Sequence, residues 1–247
     1  MNLSLRLQKI ADFVPDGGIM ADVGTDHGHL PIYLVSSHKN KGAIAMDVRP
    51  GPLSRAEQAI KMHGLQEQIQ VRLADGLAAL KPGEADTVVI AGMGGALIQK
   101  ILGEGAHMWD NVGHWILSPQ SEIGDTRHWL EQHGFSIEKE EMVLDAGKYY
   151  VIMDVVRGPM HYEQEYEYTY GKYLIDGKHP VLKAYLEQEL EKVQGLIGKL
   201  GQSQNGSDRN LLRVEELRQE LEQSLVRSSD SRYKSCATII LADSSVT

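Results

Sequence analysis

Ile19-Met20-Ala21-Asp22-Val23-Gly24-Thr25-Asp26-His27-Gly28-His29-Leu30-Pro31-Ile32 reads as a short buried strand, a glycine-punctuated turn and the opening of a helix. Downstream, Gly42-Ala43-Ile44-Ala45-Met46-Asp47 is a second strand-like run that ends in an acid, with the helix between the two. Strand, Gly turn, helix, then a strand ending in Asp is the order in which a Rossmann-type βαβ unit forms a nucleotide pocket. The turn departs from the dinucleotide pattern. Between Gly24 and Gly28 stand Thr25, Asp26 and His27, polar side chains where a pyrophosphate requires bare backbone NH groups. A second carboxylate beside the turn would also repel phosphates. A nucleotide-like cofactor without phosphate fits better, and S-adenosylmethionine is the candidate.

The flanking chain extends the same alternation. Upstream, Leu5, Leu7, Ile10, Ala11, Phe13 and Val14 predict a short amphipathic helix after Ser4, stopped by Pro15. Downstream, a helix is expected over Leu30 to Ser37, with Pro31 suited to its first turn. Another is expected over Pro52 to His63. Strands are predicted over Ile69 to Ala74, Ala85 to Ala91 and His114 to Ser118, with helices at Ala96 to Leu102 and Thr126 to His133. Phe135 to Val143 and Tyr149 to Val156, separated by Asp145-Ala146-Gly147-Lys148, carry the chemistry of a β-hairpin. Five βα steps closed by an antiparallel hairpin make the sheet of a class I methyltransferase.

From Pro180 the composition turns helical. Leu186, Leu190, Val193, Ile197 and Leu200 are spaced 4, 3, 4 and 3, and Val214, Leu217, Leu221 and Leu225 are spaced 3, 4 and 4. Two such seams around the turn Gly201 to Asp208 predict an antiparallel coiled-coil hairpin. The expected fold is therefore α/β, a Rossmann-like methyltransferase domain over 1–159 followed by a helical hairpin domain over 160–247. Ala237 to Ala242 fits a strand or a frayed helix equally.

Composition narrows the function. One cysteine, Cys236, excludes a disulfide framework or a Cys-based zinc site within one chain, and a reducing cytoplasm is the expected compartment. No apolar run is long enough for a membrane span, and Met1 to Leu7 lacks a signal-peptide pattern. A net charge of −9 argues against non-specific coating of nucleic acid, though not against a local basic patch. Residues 160–234 hold 11 Lys/Arg against 13 Asp/Glu, a net of −2. Lys183, Lys192, Lys199, Arg209, Arg213 and Arg218 could line one side and grip phosphates, while a solvated coiled coil of mixed charge would show the same count.

Ligands of open α/β sheets bind outside the carboxyl ends of the strands. Those ends collect Gly24 to Gly28, Asp47, Asp75-Gly76 and Gly92 to Gly95 in one place. Asp47 can accept from both ribose hydroxyls and Asp75 from an adenine amino group, while the backbone near Asp22 and Gly24 would face the methionine end. Ala91-Gly92-Met93-Gly94-Gly95 stands where amino-methylating enzymes of nucleic acids carry an Asn or Asp, two prolines and an aromatic residue. Glycines there let a flat substrate approach the backbone, although a tight turn before a helix would show them too. A ring nitrogen such as adenine N1 has an in-plane lone pair and needs no proton acceptor, so catalysis reduces to positioning and electrostatics. Asp26 would stabilise the positive ring. His27 and His29 either contact the base or simply line the helix N-terminus. With His38 they make no persuasive metal site. Ser118-Pro119-Gln120 could reach the substrate or cap the following helix.

Ala21 to Pro31, Ile90 to Gly95, Leu117-Ser118-Pro119-Gln120 and the helical hairpin together resemble the bacterial TrmK family, over nearly the whole chain to about Arg227. Members of that family are S-adenosylmethionine-dependent tRNA methyltransferases that form 1-methyladenosine at tRNA position 22. The resemblance implies a Rossmann-like domain with a coiled-coil domain, S-adenosylmethionine as cofactor, tRNA as partner, no metal and no membrane. A monomer is expected. The cofactor-binding set is then Asp22, Gly24, Asp26, His27, Gly28, Asp47, Val48, Ala74, Asp75, Gly76, Ala91, Gly92 and Met93. Asp26, His29, Met93 and Gly94 form the catalytic set facing the adenine. The alternatives are a small-molecule methyltransferase and a non-catalytic coiled-coil adaptor.

Overall fold

The computed structural model describes residues 2–201, 218, 219 and 221–227. Its first compact unit, Met1–Thr169, is built on a seven-stranded sheet in the order β3-β2-β1-β4-β5-β7-β6. Strands β1 (Ile19–Val23), β2 (Gly42–Asp47), β3 (Ile69–Leu73), β4 (Thr87–Met93) and β5 (His114–Pro119) are parallel. β1 and β2 are apolar and buried almost throughout because helices cover both faces of such a sheet. The hairpin of β6 (Phe135–Asp145) and β7 (Lys148–Arg157) closes it, with β7 antiparallel to β5. Its two-residue turn places Ala146 at φ 49° and Gly147 at φ 79°, the left-handed pair that matches the twist of the flanking strands.

The expected helices form as α1 (Leu5–Phe13), α2 (His29–Ser36), α3 (Pro50–Met62), α4 (Gly95–Glu104) and α5 (Ile123–Gln132). Helix α1 ends where Val14 turns extended ahead of Pro15, and it buries Ile10, Ala11 and Phe13. These join Leu30, Ile32, Leu34 and Val35 of α2 and Met20 of β1 in one apolar cluster. The Ser4 hydroxyl caps α1 by accepting from the Leu7 NH at 3.3 Å.

Residues 160–169 group with the first compact unit, which ends at Thr169. The physical reason is Arg127. Its guanidinium is fully buried, donates to the Glu140 carboxylate at 2.7 and 2.9 Å, and donates also to the carbonyls of Tyr168 at 2.5 Å and Thr169 at 3.1 Å. A buried cation satisfied in this way fastens residues 165–169 to α5. Helix α6 (Glu165–Tyr170) and α7 (Lys172–Asp176) have no counterpart in the sequence periodicity. Glu167 starts α6 by accepting from the NH groups of Glu163 and Gln164, at 2.9 and 3.0 Å.

The second compact unit begins at Tyr170. It contains α8 (Pro180–Gly201), whose Leu182, Leu186 and Val193 are buried at helical spacing. Residues 221–227 are helical, with Leu221 and Ser224 buried. The expected turn after Gly201, the side chains of Leu200, Val214 and Leu217, Lys199, Arg209 and Arg213, and the run Ala237 to Ala242 lie outside what is described. No helix among the described residues is long and apolar enough to cross a membrane.

Candidate active site

Every parallel strand delivers its carboxyl end to one edge of the sheet, and a cavity of about 420 Å³ opens there. Its wall contains Asp22, Gly24, Asp26, His29, Asp47, Ala91, Gly92 and Met93 of the expected set. Gly24 leaves β1 at φ 79°, and its NH and that of Thr25 both donate to the Met46 carbonyl at 2.8 Å. Those two amides, which a pyrophosphate would need, are already occupied. A Cβ on Gly24 would stand 2.1 Å from the Met93 methyl carbon, so the absence of a side chain is what lets Met93 lie across the turn.

Asp22 and Asp47 form the floor. Both are buried, at 9% and 6% exposure. Burial pushes the Asp22 carboxyl up to about 6, Asp47 adds to the rise, and the Thr25 hydroxyl and Arg6 oppose it. The Thr25 hydroxyl is itself buried and acts on the Asp22 carboxyl rather than lining the cavity. Asp47 accepts from the Arg49 NH through Oδ1 at 2.7 Å, and Oδ2 has no hydrogen-bond donor among the described residues. Two buried carboxylates beside glycine backbone suit the ammonium and ribose hydroxyls of S-adenosylmethionine and would repel a phosphate from the floor.

The rim differs. Asp26 is exposed and pairs with the Arg55 guanidinium at 3.2 Å and His27 Nε2 at 3.6 Å. His27 takes a left-handed backbone at φ 58° and its ring stacks on His29 with centroids 5.5 Å apart. Gly28, at φ 65°, opens α2 as its N-cap, where no side chain caps it. On the facing wall Gly92 sits at φ 81° where the β4–β5 register shifts between Ala91 and Met93. Gly94 packs where a Cβ would stand 2.9 Å from the Ser121 hydroxyl.

His27, Gly28, Val48, Ala74, Asp75, Gly76 and Gly94 are outside the cavity wall. Val48 is exposed, and Asp75 is exposed beyond β3. Ala74 is nevertheless tied to the site, because its NH donates to the Asp47 carbonyl at 3.0 Å. Gly76 packs against Ile101. Conversely, Arg6, Leu7, Leu30, Arg49 and Gln120 line the cavity without being in the expected set. Arg6 arrives because its NH donates to Asp145 at 3.0 Å and its guanidinium lies over the Tyr150 ring, 5.2 Å from the centroid. Nothing local in the α1 sequence signals that placement. Gln120, by contrast, follows directly from standing at the end of β5.

A larger cavity of about 540 Å³ opens at the amino ends of the strands. Two of its titratable side chains are already engaged: Asp86 accepts from the Ile19 NH at 2.8 Å, and His114 is bonded to Asp154 at 2.8 Å. The carboxyl edge, with its unpaired polar atoms, is the better candidate for chemistry. Among the described residues no three His, Cys, Asp or Glu side chains gather as a metal site.

Fold and site together define a Rossmann-like methyltransferase of the S-adenosylmethionine-dependent class. The family model for TrmK, tRNA (adenine(22)-N(1))-methyltransferase, matches residues 20–224. The Bacillus subtilis tRNA (adenine(22)-N(1))-methyltransferase is 34% identical over 229 residues, which are 90% of this chain and 95% of that protein. The Streptococcus pneumoniae protein Sp1610, solved in complex with S-adenosyl-L-methionine, superposes with a TM-score of 0.82 at 37% identity, covering 91% of this chain and 100% of that one. Mycoplasma capricolum TrmK, solved with S-adenosyl-homocysteine, gives a TM-score of 0.79 at 26% identity, covering 91% and 98%. The chain belongs to the TrmK family of tRNA (adenine(22)-N(1))-methyltransferases.

Proposed function

We propose that this protein methylates N1 of adenine 22 in tRNA with S-adenosylmethionine as methyl donor. The observation that carries this reading is a single cavity with a buried acidic floor, Asp22 and Asp47, and a glycine-lined wall at Gly92 that leaves room for a flat base. In it Asp22 would meet the methionine ammonium and Asp47 the ribose hydroxyls. Val48 and Ala74-Asp75-Gly76 would flank the cofactor adenine, and Thr25 to Gly28 would turn the chain beneath the methionine.

S-adenosylmethionine supplies a methyl group on a sulfonium, so the N–C bond forms as the S–C bond breaks and the electron pair stays on sulfur. The base needs no deprotonation, and the positive charge that leaves sulfur arrives on the adenine ring. Asp26 would be the carboxylate that faces it, and its pairing with Arg55 would loosen for it to act. Met93, Gly94 and His29 would hold the ring in position, which is most of the catalysis such a transfer requires. N1 lies on the Watson–Crick edge, so the base must leave its stack at about a few kcal/mol. The helical unit, as a coiled-coil hairpin, would grip the tRNA meanwhile. The reading is completed by a monomer working in the cytoplasm.

Incubation with labelled S-adenosylmethionine and unmodified tRNA, followed by digestion to nucleosides, should give 1-methyladenosine at position 22. Its absence with correctly folded tRNA carrying that adenine would sink the reading.

A further inference from the structure

One polar side chain in the cavity wall has no role in the reaction as described. The Gln120 backbone NH donates to the Met93 carbonyl at 2.9 Å, while the side chain is exposed and makes no protein hydrogen bond among the described residues. Its Nε2 lies 3.9 Å from where a Cβ on Gly92 would stand, above the wall across which a base would slide. Its base is held firmly. The Ser121 carbonyl accepts from the Gly95 NH at 3.0 Å, the Ser121 hydroxyl bonds the Glu122 carboxylate, and Glu122 sits at φ 47°, tying residues 120–122 to the Gly92–Gly95 turn.

If N1 is the atom methylated, its lone pair must face the methyl group and no protein group can bond it. Selection of adenine then falls on the remaining edges. The Hoogsteen edge of adenine presents a donor at N6 and an acceptor at N7, and a carboxamide is the side chain that matches both at once. The other polar side chains of the wall fail this match: the two ring nitrogens of His29 point in different directions, so the ring can meet only one of the two atoms at a time. Asp26 only accepts and is already paired with Arg55, while Arg6 and Arg49 only donate, which suits the two acceptors of guanine.

We propose that Gln120 selects the target base, its Oε1 accepting from adenine N6–H and its Nε2 donating to N7. This rests on the N1-methylation reading above.

The test compares kcat/KM on two ligated tRNAs, one with adenosine and one with 7-deazaadenosine at position 22, for the wild type, Gln120→Ala and Gln120→Glu. Loss of N7 should slow the wild type about tenfold, the lower part of the range for one base contact because the site is open. Gln120→Ala should be about tenfold slower on ordinary tRNA and lose nothing further on the 7-deaza substrate. Gln120→Glu sets an acceptor against N7, so its rate should rise when N7 is replaced. Calorimetry should show unchanged S-adenosylmethionine binding in both variants, which establishes that they are folded. A 7-deaza effect as large in Gln120→Ala as in the wild type, or none in the wild type, overturns the proposal. A wild type that methylates neither tRNA overturns the N1-methylation reading itself and this proposal with it.

Discussion

Asp22, near the end of β1, and Asp26, on the turn that follows, are carboxylates that the protein treats in opposite ways. Asp22 is buried, has no direct ion-pair partner among the described residues, and has its pKa raised to about 6. The Asp26 side chain is 66% exposed and is held by Arg55 and His27. The difference separates the floor of the site from its rim. In a buried floor one charge-assisted hydrogen bond to a ligand is strong, because water does not compete for it. At an exposed rim each pair is weak and exchangeable, as a bulky substrate that enters and leaves requires.

The contrast breaks first at the floor. With Asp47 on the ribose as proposed, Asp47→Ala should remove two charge-assisted hydrogen bonds and weaken S-adenosylmethionine binding by at least about a hundredfold in a calorimetric titration. An affinity within about threefold of wild type would remove Asp47 from the cofactor site.

Asp22 tests the same contrast through pH. Its folded pKa lies above the ordinary value of 3.8, so the folded chain holds this proton more tightly than the unfolded chain. The free protein therefore loses about 3 kcal/mol of stability as pH rises from about 4 to about 6, and no more from this group above that. With Asp22 on the cofactor ammonium as proposed, ligand binding has the opposite sign, since it needs the ionised form. Affinity should fall about tenfold for each pH unit below about 6. Asp22→Asn should flatten that dependence and raise the thermal midpoint of the free protein at pH 7. An unaltered pH profile in the variant would show that another group controls binding.

The smallest effect belongs to the rim. Asp26→Asn should leave cofactor affinity unchanged and lower kcat about tenfold, the order expected from removing one electrostatic contact to a developing charge. Single-turnover kinetics would separate the two, and a normal rate would take Asp26 out of the reaction.

Much of the architecture was legible along the chain because it rests on local signals. Buried parallel strands are apolar runs, glycines at positive φ mark their exits, and Ala146-Gly147 announces the hairpin. Helix α6 was not legible, because Glu165-Tyr166-Glu167-Tyr168-Thr169-Tyr170 has no apolar stripe of its own. It is held by Arg127, a residue 41 positions away from Tyr168. Asp22, Gly24, Asp47 and Gly92 could be placed in the site because strand ends converge in any such sheet. Arg6 could not, since the hydrogen bond that brings it there reaches Asp145, 139 residues on.

From its sequence alone, then, this protein has its strand and helix pattern, the polar turn unsuited to a pyrophosphate, and the glycine wall opposite that turn. These follow from backbone conformation and side-chain period, which neighbours in the chain control. Tertiary structure alone decided that Asp22 holds its proton to about pH 6, that Arg6 joins the wall, and that the Gln120 amide stands free beside Gly92. Burial and through-space electrostatics depend on which distant residues are brought together, and those distances come into being only when the sheet closes.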